Sequence, residues 1–195
     1  MNATTIPTHT VLVDELRIRY ADSGTADGPA VRSLVVGGGG AAYPLDVTGS
    51  LADIIAAPGT EVFEGQDIRA TIGAAVEPVA PHDLEPDIWE DYVSAYENGR
   101  FAESTRYVRS YPDQLLLLRD LLPAIRVPVR VFAADGDPLV PVSNGRYLVE
   151  RIPGSELTIL ATGHFAWEQV PEQFAAIVTE WVARAETGAA GSGQR

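Results

Sequence analysis

The chain has 195 residues, 46% of them hydrophobic, and a formal net charge of -13. That length fits one domain with a small appendage, and the apolar content is enough for a core. Every cation is an Arg, with no Lys, and the net charge of -13 with no basic face visible in the sequence argues against nucleic acid or anionic lipid as partner. Zero Cys excludes disulfides, a thiolate nucleophile and cysteine-based metal sites.

The start, Met1 to His9, lacks the basic region and apolar stretch of a secretory signal. No apolar run approaches the ~20 residues of a membrane helix. A cytoplasmic protein with neither nucleic acid nor membrane as partner is expected. Thr10 to Asp14 and Arg17 to Tyr20 alternate polar and apolar residues around Glu15-Leu16, the pattern of a β-hairpin. The turn-rich run Asp22 to Pro29 ends it. Ser33 to Val36 then reads as a short buried strand closed by Gly37 to Gly40.

From Ala41 to Leu122 the pattern becomes helical. Pro86 suits the first position of a helix carrying Ile88, Trp89, Tyr92, Val93 and Tyr96 on one face. Pro112 opens another, in which Leu115 to Leu118, Leu121 and Leu122 form a wide apolar surface. Val127 to Ala133 is rich in β-branched residues and reads as a strand. A helix over Ser143 to Ile152, stopped by Pro153-Gly154, and a strand over Glu156 to Leu160 follow. Phe174, Ile177, Val178, Trp181 and Val182 then mark one stripe of a closing helix. The chain thus divides into 1–40 (hairpin and first parallel strand), 41–122 (helical insertion), 123–184 (α/β core) and 185–195, a Gly/Ala/Ser-rich flexible tail.

Strand, helix, strand, helix at this spacing implies parallel neighbours joined by a right-handed crossover. Their carboxyl ends share one edge of the sheet, where open α/β sheets place their chemistry. Asp137 leaves one such strand and His164 the next. On neighbouring strands about 4.8 Å apart the two meet, and a carboxylate on one imidazole nitrogen prepares the other as a base. Asp135 is a second candidate acid. Asp137 is preferred because Pro138 begins a turn that holds it rigid.

Several motifs carry a family likeness. Ala134-Asp135-Gly136-Asp137-Pro138-Leu139-Val140-Pro141, Ile152-Pro153-Gly154-Ser155 and Gly163-His164-Phe165-Ala166-Trp167-Glu168-Gln169-Val170-Pro171, in that order, resemble the end of an α/β-hydrolase. The resemblance implies an α/β fold with a reduced sheet, a hairpin plus three parallel strands, and a helical lid at 41–122. It implies catalytic roles for Asp137 and His164, a hydrolase of small ester-like or carbonyl substrates, and a small apolar or carbonyl-containing molecule under the lid. No cofactor and no metal are implied. Val31 to Gly39 resembles the sixth strand of that family.

The departure is the nucleophile: no Gly-x-Ser-x-Gly elbow occurs. The hairpin passes straight into the sixth strand, as if three βα units, about 70–90 residues, were missing. A catalytically degenerate hydrolase is the leading expectation. The alternatives are a base catalyst using the His/Asp dyad alone (lyase- or oxygenase-like), a ligand-binding or regulatory module, and a hydrolase drawing its nucleophile from Ser50 or a partner chain. A short sheet with open edges adds a homodimer to the expected partners.

Gly37 to Gly40 fits a glycine oxyanion loop, though Val36 stands where that motif begins with His. Gly37, Gly39 and Ala42, with Glu61 or Glu64 beyond, fit a dinucleotide-binding turn, but Pro44 and Gly49 interrupt the helix it needs. Trp89, Tyr92, Tyr96, Tyr107 and Tyr111 are candidates to line an apolar pocket. His9 and His82 are too scattered to hold a metal.

Overall fold

The computed structural model describes residues 8–13, 16–21, 31, 33–76 and 84–192, with side chains at 31, 33–74 and 84–184. It divides into two compact units, residues 1–32 and 33–195. In the first, β1 (Thr8–Val13) pairs antiparallel with β2 (Leu16–Ala21), Val13 opposite Leu16. Leu16 therefore opens the second strand instead of lying in the turn. His9 falls in β1, and His82 lies outside the described residues.

The second unit is built on a three-stranded parallel sheet in the order β3 (Leu34–Gly37), β4 (Val129–Ala134), β5 (Glu156–Leu160). Between β3 and β4 the described helices are α1 (Gly49–Ala56), α2 (Ile68–Val76), α3 (Pro86–Ala95), α4 (Arg100–Arg109) and α5 (Tyr111–Leu121). Proline stands in the first turn of α3 and α5 as expected, where a missing N–H costs nothing. After β4 come α6 (Ser143–Arg151), then β5, the short α7 (Ala166–Gln169) and α8 (Pro171–Ser192). α8 runs past residue 185, so the segment read as a flexible tail begins as helix. Ala185, Ala189 and Ala190, the best helix formers, offset Gly188 and Gly191 there.

Alternation along the strands sorts the core into two layers. Val129 and Val131 of β4 face α6, packing with Tyr147, Leu148 and Ile152 and with Leu34, Val36 and Leu157. Phe132 and Leu160 face the other way, against Ile177 and Phe174 of α8. Coverage of both faces is what a parallel sheet needs, and it explains the near-continuous apolar run of β4. A third cluster lies among the helices between β3 and β4, around Ile72, Val93 and Phe101. The leucine surface of α5 is only partly used: Leu115 is buried, while Leu117 and Leu121 stay exposed.

The segment after β3 is fixed by one buried amide. Asn144, on α6, accepts from the Ala41 and Ala42 N–H groups at 2.8 and 2.9 Å and donates to the Asp46 carbonyl at 2.7 Å. It is 2% exposed, so no water replaces these bonds. Asn144→Ala is expected to lower stability by roughly 2–4 kcal/mol, because two buried N–H groups lose their acceptor. Urea unfolding of both proteins checks this, and a loss below about 1 kcal/mol contradicts it.

Candidate active site

The pairing of β4 and β5 does not stop at their ends. Beyond the Ala134–Leu160 register pair, the Asp135 N–H donates to the Leu160 carbonyl and the Gly136 N–H to the Thr162 carbonyl, both at 3.0 Å. A Cβ on Gly136 would lie 3.0 Å from the Thr162 oxygen, so glycine lets the two loops close. This zipper carries Asp137 and His164 to the same rim.

There His164 Nδ1 lies 2.8 Å from Asp137 Oδ2. The other carboxylate oxygen, Oδ1, accepts from the Leu139 and Val140 N–H groups at 2.8 and 3.0 Å. The Asp137 side chain is 2% exposed and that of His164 is 17% exposed. Burial pushes the carboxyl up, but the hydrogen bonds from His164, Val140 and Leu139 outweigh it and hold it below its ordinary value. A carboxylate only accepts, so the ring proton belongs on Nδ1 and Nε2 keeps its lone pair. Nε2 has no hydrogen-bond partner among the described residues. Asp135, the other candidate acid, is exposed and points no polar contact at the ring. The turn after Pro138 that favoured Asp137 is the one that delivers the two amides.

A narrow cleft of about 10 Å³, room for about one water, runs beside the pair between Gly37 to Gly39 and Asn144. No Ser, Thr or Tyr lines it among the described residues. Ser50 lies in α1, outside the cleft. The glycine run is followed by non-helical chain as far as Thr48, so it has no helix amino end to hold a pyrophosphate. No group of three or more His, Cys, Asp or Glu that could hold a metal occurs among the described residues.

Past His164 the chain meets the helical segment. Tyr92 of α3 accepts from Trp167 Nε1 and donates to Glu168 Oε1, each at 3.0 Å. Its ring lies 5.3 Å from that of Phe165, which is 5.2 Å from the His164 ring. Burial pushes the Tyr92 hydroxyl up, which keeps it neutral and able to donate. Of the aromatic residues read as candidate pocket lining, Trp89, Tyr92 and Tyr96 pack into the α2–α4 cluster, and Tyr107 and Tyr111 meet edge to face with ring centroids 5.3 Å apart. The sequence reading did not single out Gln169 or Asn144; both act through bonds to main-chain groups.

The chain has the α/β-hydrolase fold. An esterase from Exiguobacterium antarcticum matches with a TM-score of 0.61 and 19% identity, over 78% of this chain and 57% of its own. A hydrolase from Pseudomonas aeruginosa PA01 matches at 0.58 and 22%, over 77% and 55%. A thermophilic esterase from Thermogutta terrifontis matches at 0.59 and 16%, over 79% and 56%. The chain thus spans little more than half the length of these α/β-hydrolases. No family model and no curated protein matches the sequence.

The depressed Asp137 value sets a pH dependence. An unfolded Asp titrates at about 3.9; a folded value below that stabilises the protein above about pH 4, and the gain is lost as pH falls through the folded value. Urea unfolding should show the margin by which wild type exceeds Asp137→Asn shrinking as pH falls below about 4. A margin unchanged into strong acid contradicts the assignment.

Proposed function

We propose that this chain carries the acid–base part of an α/β-hydrolase site for small ester-like or carbonyl substrates, with His164 as the base and Asp137 as its orienting acid. The observation that carries the reading is the 2.8 Å Nδ1–Oδ2 contact at the shared rim of two parallel strands. Asp137 fixes the tautomer and stabilises the imidazolium formed when His164 takes a proton. The helices between β3 and β4 serve as a lid, held to the histidine segment through Tyr92.

The described residues do not supply the remainder of an acyl-transfer site. A serine hydrolase needs a hydroxyl within reach of Nε2, and the cleft offers none among the described residues. By itself the chain is therefore degenerate as an esterase. Nε2, which has no hydrogen-bond partner among the described residues, also favours a second reading, in which the imidazole acts as a base without an acyl-enzyme, a contribution of about 10²–10⁴-fold.

Purified chain treated with a fluorophosphonate probe is expected to remain unlabelled by intact-mass spectrometry, with p-nitrophenyl acetate hydrolysis no more than slightly above buffer and lost in His164→Ala. Stoichiometric labelling of one serine would overturn the degenerate reading. Hydrolysis unchanged in His164→Ala would remove the imidazole from the chemistry.

A further inference from the structure

We infer that Gln169 is a positioning residue for the His164 imidazole. The inference rests on the dyad reading above and adds the group that holds the backbone leading into the histidine. Gln169 ends α7, five residues after His164, and its backbone N–H donates to the Phe165 carbonyl at 2.9 Å. Its side chain folds back across the loop. Oε1 accepts from the Thr162 hydroxyl and from the Gly163 N–H, both at 2.5 Å. A backbone N–H can only donate, which settles the orientation of the amide: the oxygen faces the loop.

The loop that leads into His164 is thereby pinned from two sides. One end is held by the Gly136 N–H on the Thr162 carbonyl, the other by the Gln169 side chain on residues 162 and 163. A Cβ on Gly163 would lie 2.9 Å from Oε1 and 3.0 Å from Nε2 of Gln169, so the residue before the histidine is glycine where the amide packs on its Cα. Asp137 contacts the ring at one nitrogen, and a single hydrogen bond leaves rotation about the contact and displacement of the loop open. The clamp from Gln169 restricts displacement of the loop, because Gly163, directly before His164, cannot move without breaking its N–H bond to Oε1, nor Thr162 without straining its hydroxyl bond to the same oxygen. The effect reaches the imidazole through the main chain; Gln169 itself touches no reacting atom.

The test reads the ring directly and needs no turnover. Long-range ¹H–¹⁵N spectra of the histidine-labelled chain at about pH 9, where imidazoles are neutral, report which ring nitrogen holds the proton, with His164→Gln assigning the signal. Wild type is expected to populate the Nδ1–H tautomer almost fully. Gln169→Leu removes the acceptor, and Gly163→Ala displaces the amide; each should lower that population to about half or less. Gln169→Glu keeps an oxygen in place and should preserve it.

Asp137→Asn separates the two claims. Its oxygen stays with the Leu139 and Val140 N–H groups, so its NH₂ faces the ring and inverts the tautomer. Inversion in Asp137→Asn with no change in Gln169→Leu or Gly163→Ala overturns the role of Gln169 and leaves the dyad standing. No change in any of the three removes the dyad reading as well.

Discussion

A carboxylate taken out of water must find enough donors to replace the ones it loses, and Asp137 does so with three N–H groups. Two come from its own turn, Leu139 and Val140, and one from His164. The rest of the described core can be read as the means of bringing that third donor into place. The local bonds need only a short turn after Pro138. The bond to His164 needs two loops 27 residues apart in sequence to leave adjacent parallel strands at the same rim.

The layers supply that geometry. α6 and α8 cover opposite faces of the sheet, so β4 and β5 are fixed laterally by packing as well as by their ladder. Asn144 sits where α6 begins and ties the segment after β3 to the same frame. The Gly37 to Gly39 wall of the cleft and the Asp137 turn are therefore set by one helix. On the far side, Tyr92 and Phe165 join the histidine segment to the helical cluster between β3 and β4. The imidazole is enclosed by groups that belong to different parts of the sequence, yet its second nitrogen has no hydrogen-bond partner among the described residues.

The features that repeat along the chain were legible in the sequence. The β-branched run of β4, the alternating pattern of β5 and the helical stripe of α8 announce themselves because burial imposes a period on neighbouring residues. From these the parallel pairing follows, and from the pairing the meeting of Asp137 and His164. What escaped was carried by single side chains bonding to distant or locally folded backbone. Asn144 reaches Ala41 across 103 residues, and Gln169 reaches Gly163 only once α7 has turned it back. Neither leaves a periodic trace. The α7 helix is four residues long, too short for any stripe, and the continuation of α8 was hidden by its glycines. Leu16 was placed in a turn because a two-residue shift in a hairpin leaves the alternation almost unchanged.

A double-mutant cycle across Asp137 and His164 tests the central contact most directly. Stability would be measured at neutral pH for wild type, Asp137→Ala, His164→Ala and the double variant. A coupling energy of about 1 kcal/mol or more is expected, since the two groups are buried partners at hydrogen-bond distance. Additive losses, with coupling within about 0.3 kcal/mol of zero, would contradict the account.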